Sequence, residues 1–173
     1  MIPEELVVLV DANDTELGSA PKGRVHRTGE RHRAVSVFLF DDEGRTLLQR
    51  RADGKYHSPG RWSNTCCGHP RPGEAAMDAA RRRLREEMGV ECTLTHVVTF
   101  EYRADVGLGL LEHEVDHVFR GDFVGTPAPD AAEVSDFRWV GLAELRRDCM
   151  DSPERYSAWL PLALERIGKH LPT

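Results

Sequence analysis

Apolar residues fall in short runs along most of this chain, and only one segment carries a helical period over several turns. The run Leu6 to Val10, closed by Asp11-Ala12-Asn13-Asp14, predicts a strand and a turn. From there to about Arg33 the chain is polar and glycine-containing, which predicts loop. Ala34 to Phe40 predicts a buried strand, Asp41-Asp42-Glu43-Gly44 a turn, and Thr46 to Arg50 its hairpin partner. Arg51 to Trp62 reads as loop, punctuated by Gly54, Pro59 and Gly60. Pro72-Gly73-Glu74 then opens a helix that runs to about Met88 and stops at Gly89. Met77, Ala80, Leu84 and Met88 form its buried stripe, with Arg83 and Glu87 four apart along one flank. Strands are expected over Cys92 to Tyr102, Glu112 to Phe119 and Phe137 to Val140, with loop from Gly121 to Ala132. Helices near Leu142 to Arg147 and from about Ala158 to His170 finish the chain. Strands and helices mix without a βαβ repeat, so an α+β fold or mixed-sheet sandwich is expected, as one domain over residues 1–173.

The length, 173 residues, suits one sizeable core. A net charge of −6 disfavours nucleic acid as a partner and leaves open a local basic pocket for a small anion. Cys66, Cys67, Cys92 and Cys149 make neither a disulfide framework nor a paired Cys-x-x-Cys zinc pattern, so a reduced, cytoplasmic protein is expected. The start, Met1-Ile2-Pro3-Glu4-Glu5, lacks a basic region and an apolar run and does not read as a signal peptide. No apolar run approaches membrane-spanning length, so no membrane association is expected.

Chemistry concentrates around Ser63-Asn64-Thr65-Cys66-Cys67-Gly68-His69-Pro70. Cys67 and His69 are two residues apart, a spacing that lets a thiol and an imidazole face one cavity; Gly68 between them removes a Cβ where a ligand or metal would come close. His26, His32 and His69 with Glu112 and Glu114 make a nitrogen/oxygen set suited to Zn²⁺, Mn²⁺ or Mg²⁺. The two glutamates, one residue apart on a predicted strand, point the same way. His113 and His117 fall on the opposite face and read as solvated. Lys22, Arg51, Lys55 and Arg83 are candidate anion-binding cations; Cys67, Tyr102 and Glu114 can exchange protons; Trp159 over a cavity would present its π face to a cation. The plainer alternatives are a solvated strand face, a helix laced by Arg82–Glu86 and Arg83–Glu87 pairs, buried small cysteines and a core tryptophan.

From Gly68 to Val90 the chain matches a Nudix box at Gly68, Glu74, Arg82, Leu84, Glu86, Glu87, Gly89 and Val90. Arg83 stands where Nudix hydrolases carry a glutamate, exchanging a cation-holding carboxylate for a fork that grips phosphate oxygens. Together with Thr65-Cys66-Cys67-Gly68-His69-Pro70, Trp62-Ser63-Asn64, Arg51-Ala52-x-x-Lys55, Tyr102-Arg103-Ala104 and Glu112-His113-Glu114-Val115, the chain resembles the type I isopentenyl-diphosphate isomerases, a branch of the Nudix superfamily. The resemblance covers about residues 5 to 165. It implies a Nudix-like mixed-sheet α/β/α sandwich and conversion of isopentenyl diphosphate to dimethylallyl diphosphate through a tertiary carbocation. It implies a divalent metal on His26, His32, His69, Glu112 and Glu114, and proton transfer by Cys67 and Glu114 with Tyr102 assisting. It further implies Mg²⁺ held by Glu87 and the diphosphate, anion binding by Lys22, Arg51, Lys55 and Arg83, and Trp159 facing the hydrocarbon. The expected protein is a monomer acting on a small diphosphate. The alternative enzyme is a Nudix diphosphohydrolase acting on a nucleotide-like diphosphate; a non-catalytic metal-binding module is the alternative of another class.

Overall fold

The computed structural model describes residues 4–170. The architecture is set by strand β3 (His32–Phe40), buried at every residue but Arg33. One edge of β3 runs parallel to β8 (Leu110–Asp122), from His32 beside Glu114 to Phe40 beside Asp122. The other edge runs antiparallel to the short strand β6 (Cys66–Gly68), with Ser36 beside Cys67. Around this centre β1 (Leu6–Val10) pairs with β2 (Glu16–Pro21) and touches β3; β4 (Thr46–Arg51) pairs with β5 (Trp62–Ser63) and β9 (Val134–Val140); β7 (Leu94–Gly107) forms a long antiparallel pair with β8.

Alternation along β3 divides the molecule into layers. Val35, Val37 and Leu39 point to one face and pack against Ala79, Ala80, Leu84 and Met88 of α2 (Ala76–Met88). Phe38 and Phe40 point to the other, where α3 (Leu142–Asp151) and α4 (Leu160–Ile167) supply Leu145, Leu160, Leu164 and Ile167. The result is the expected mixed-sheet α/β/α sandwich. Burial of each such leucine contributes roughly 1.5–3 kcal/mol, so the two clusters hold both helical layers to one sheet. The even-numbered face of β3 also carries His32, Ala34 and Ser36, and on that face the functional groups gather.

Several elements differ from the sequence expectation. The stretch read as loop to Arg33 contains β2 and a helix, α1 (Lys22–Thr28). β2 is an exposed edge strand without alternation, and α1 buries only Val25 and His26, so neither carries a visible period. The β1–β2 turn is fixed by Asp11, whose Oδ1 accepts from the Asn13 and Thr15 amides at 2.8 and 2.9 Å. Helix α2 begins at Ala76, not Pro72; the preceding turn is closed by Glu74 Oε2 accepting from the Arg71 amide at 2.9 Å. β7 and β8 run on past their expected ends to a tight hairpin at Leu108-Gly109, both at positive φ, because Gly107 and Gly109 mask the strand pattern there. β9 starts three residues early, at Val134, because Ser135 and Asp136 are exposed edge positions. Trp159 caps α4 rather than lying within it. Among the described residues, no helix is long and apolar enough to cross a membrane.

Gly89 ends α2 at φ +63°, and a Cβ built there would stand 2.4 Å from the Ala128 carbonyl oxygen. Gly89→Ala is therefore expected to destabilise the fold by about 1–3 kcal/mol. Urea denaturation would show this as a lowered midpoint with unchanged slope; an unchanged midpoint would mean the 126–130 segment yields freely.

Candidate active site

The register of four strands builds the floor. His32 lies beside Glu114, Ala34 beside Asp116 and Ser36 beside Val118 across the β3–β8 pair, and Tyr102 of β7 lies beside Glu114. Glu112, Glu114 and Asp116 alternate inward along β8 and are all buried. Cys67 enters from β6 beside Ser36, while Cys66 turns to the opposite face and packs with α2, the apolar fate expected of it.

Over this floor His26, His32, His69, Glu112 and Glu114 bring five ligand atoms within 4.8 Å of one another, every residue buried. His26 Nε2 lies 3.1 Å from Glu112 Oε2, and His69 Nε2 lies 3.0 Å from Glu114 Oε1. His32 Nε2 sits between them, 3.5 Å from Glu112 Oε2 and 3.4 Å from Glu114 Oε1, and it has no hydrogen-bond partner. His32 Nδ1 is 2.9 Å from the Glu30 carbonyl oxygen, which can only accept. In the neutral ring Nδ1 therefore carries the hydrogen and Nε2 presents a lone pair to the centre of the cluster. An unpartnered buried nitrogen aimed between two carboxylates fits a divalent cation, and the nitrogen/oxygen donors suit Zn²⁺, Mn²⁺ or Mg²⁺.

Electrostatics agree. Burial alone would lower His32; its contacts with Glu112 and Glu114 overcome this and raise it to about 10. Burial pushes His69 down to about 4, against the pull of Glu114. Burial opposes ionisation of Glu112, yet its close contacts with His26, His32 and His57 hold its carboxyl well below the usual range. Without a cation, a proton on His32 would offset part of the negative charge gathered here.

One cavity of about 110 Å³ adjoins this group and is lined by Cys67, Tyr102, Glu114 and Trp159, with Lys22, Arg51, Lys55, Arg83 and Glu87 also on its walls. Tyr102 donates to Glu114 Oε2 at 2.6 Å. The Cys67 thiol does not extend that pair: it donates to Asn64 Oδ1 at 3.1 Å and lies 3.8 Å from Ser36 Oγ, whose hydroxyl donates to Asp116 at 2.7 Å. Burial, with Asp116 and Glu87 nearby, pushes the thiol up to about 12. Asn64 Oδ1 also accepts from Trp159 Nε1 at 3.1 Å, so one amide oxygen fixes both thiol and indole. The Arg51 guanidinium stands 5.3 Å from the Trp159 ring centroid.

All four predicted cations reach the cavity, but three arrive with carboxylates. Lys22 Nζ is 3.0 Å from Glu5, Lys55 pairs with Glu133, and Arg83 meets Glu87, Glu86 at 2.7 Å and Glu133 at 3.4 Å. Glu87 also accepts from Gln49 Nε2 at 2.6 Å and stands apart from the His/Glu group. Gly68 departs from expectation. A Cβ there would lie 2.5 Å from Arg83 Cγ, so the missing side chain makes room for the arginine stem rather than for a metal. His113 and His117 face outward, onto Glu101 at 2.8 Å and Asp14 at 2.7 Å.

Residues 30–160 match the family profile of the NUDIX domain. An Aromatoleum aromaticum protein named isopentenyl-diphosphate Delta-isomerase 2 is 54% identical over 164 residues, 95% of this chain and 87% of its own length. The isopentenyl-diphosphate Delta-isomerase of Burkholderia multivorans is 50% identical over 165 residues, 95% of this chain and 94% of its own. The chain belongs to the isopentenyl-diphosphate Delta-isomerase family, within the Nudix superfamily. A Deinococcus radiodurans crystal structure shares this isomerase family member's fold at TM-score 0.79 and 21% identity, covering 94% of this chain and 98% of the other.

Ser36, Gln49, Asp116, Glu5, Glu133, Tyr56 and His57 line or brace this Delta-isomerase family site and were not singled out by sequence, and Asn64 was named there only within its motif, without a role. Asp116 was within reach, since the alternation that pairs Glu112 with Glu114 continues to it. The acids opposite the cations carry no sequence signal.

Glu112 and Glu114 favour a proton on His32, raising it to about 10, so uptake of a divalent cation is expected to displace that proton. Titration calorimetry in buffers of different ionisation enthalpy is expected to show release of about one proton per chain near neutral pH, declining once the pH passes the His32 value. Metal uptake without proton release would show that the ring is already neutral.

Proposed function

We propose that the chain interconverts isopentenyl diphosphate and dimethylallyl diphosphate. The observation that carries this reading is one cavity lined by a half-buried thiol, a buried phenol–carboxylate pair and four cationic side chains, in a member of this family. A proton is added to the terminal methylene carbon of the alkene, leaving a tertiary cation; a proton is then lost from the neighbouring methylene, and the double bond has moved. Cys67 and Glu114 exchange these two protons with carbon, and Tyr102, hydrogen-bonded to Glu114 Oε2, orients the carboxyl. The indole of Trp159, anchored through Asn64, shields the cation from water and attracts it through its π face, an effect of about 2 kcal/mol when desolvated.

His26, His32, His69, Glu112 and Glu114 hold the resident divalent ion, Zn²⁺, Mn²⁺ or Mg²⁺. Its positive charge tunes the acidity of Glu114. Lys22, Arg51, Lys55 and Arg83 take the diphosphate, and Glu87 holds Mg²⁺ that arrives with it. Arg83 supports isomerisation over diphosphate hydrolysis: it stands where a Nudix hydrolase carries a cation-holding glutamate, and a guanidinium there grips phosphate oxygens without helping to cleave them. We read the protein as a cytoplasmic monomer that acts on this small substrate without nucleic acid or membrane, in keeping with its net charge of −6.

Proton NMR of isopentenyl diphosphate with the protein in D₂O tests the reaction. Deuterium is expected in the methyl and methylene positions with no phosphate released; phosphate release would establish the hydrolase instead. Cys67→Ala is expected to lower kcat by about 10²–10⁴-fold with metal content unchanged. Equal turnover by the variant would remove Cys67 from the mechanism.

A further inference from the structure

The segment between β4 and β5, residues 52–61, lies against the His/Glu group from outside and carries two aromatic residues that touch its members. The Tyr56 hydroxyl meets His26 Nδ1. His57 Nε2 lies 3.0 Å from Glu112 Oε1, the oxygen opposite the Oε2 that faces His26 and His32. His57 is itself fixed on every side. Its carbonyl accepts from Arg51 Nη2 at 3.0 Å, its Nδ1 is 3.4 Å from Ser58 Oγ, and its ring stands edge-on to Trp159 at 5.7 Å between centroids. Only 7% of its side chain is exposed.

We propose that Tyr56 and His57 are positioning residues for the metal centre. A glutamate can ligate through either oxygen or both, and a histidine through either nitrogen. An Nε2–H donor locked onto Glu112 Oε1 leaves Oε2 as the inward oxygen. An acceptor at His26 Nδ1 keeps the hydrogen on that nitrogen and leaves the Nε2 lone pair for the ion. Neither residue belongs to the ligand group, which comes from α1, β3, β8 and the chain just after β6. The same segment is flanked by Arg51 and carries Lys55. One strap therefore sets the geometry of the metal and contributes to the anion wall, with Arg51 linked to Glu112 through His57. Outer partners of this kind are worth about 10–100-fold in metal affinity.

This inference rests on the metal centre described above, and the two fail separately. The full-length protein is titrated with Zn²⁺ or Mn²⁺ alone against a chromophoric chelator, with no substrate present. Wild type is expected to bind one ion per chain at the His/Glu group. His57→Ala is expected to bind it about 10–100-fold more weakly, and His57→Gln, whose amide N–H can reach the same oxygen, to recover most of the loss. Tyr56→Phe keeps the ring of a residue already 42% exposed, removes only the acceptor, and is expected to weaken binding in the same direction. If His57→Ala does not fold, Tyr56→Phe and His57→Gln decide the matter. Wild-type affinity in both His57→Ala and Tyr56→Phe would overturn the inference while leaving the metal centre intact, as would a Gln variant no tighter than the Ala variant. A wild type that takes up no ion would overturn the metal centre, and this inference with it.

Discussion

Two carboxylates pointing the same way from one buried strand form the constraint on which the rest of this molecule depends. Glu112 and Glu114 are 3% and 6% exposed, and Asp116 follows them at 1%. Ionised groups withdrawn from water are tolerated only beside compensating charge. The parallel β3–β8 pairing supplies one answer by setting His32 between the two glutamates, and α1 and the loop after β6 supply His26 and His69. Such a face would be a destabilising core on its own. With a cation among its oxygens and nitrogens it becomes a stable centre, so the local fold and the chemistry are solutions to one electrostatic problem.

The second half of the cavity obeys the opposite rule. Three of its four cations are already compensated by Glu5, Glu86, Glu87 and Glu133, and Arg51 instead donates to the His57 carbonyl. On the reading proposed above, an incoming diphosphate would exchange these protein carboxylates for its own oxygens, which favours a ligand that brings enough charge, or a metal, to satisfy both the cations and the acids left behind. The same cavity also has a neutral wall, Cys67 and Trp159, both held by Asn64 Oδ1.

The fold and the site were legible to different depths. Strands β3 and β4 and helix α2 announce themselves because each buries a face of fixed period. β2, α1 and the tip of the β7–β8 hairpin do not, since their residues are polar, short-ranged or glycine-rich and their order comes from partners far along the chain. The metal group was readable because Glu112 and Glu114 obey strand alternation and because the motif resemblance joined them to three scattered histidines. The braces around it were not. Asn64 stands inside the most informative stretch of the chain, yet its role depends on Trp159, 95 residues away. His57 lies in a segment that reads only as turns, and nothing local distinguishes an imidazole that will meet Glu112 from one that will meet solvent.

Gly68 and Arg83 are coupled by their geometry. Gly68 does not adopt a left-handed backbone; what it provides is clearance for the arginine stem crossing above it. The arginine in its present course therefore depends on the bare α-carbon beneath it. Any side chain at residue 68 would have to push that stem aside, and the guanidinium would leave its place on the cavity wall. The smallest residue in the chain thus keeps one of the largest in position.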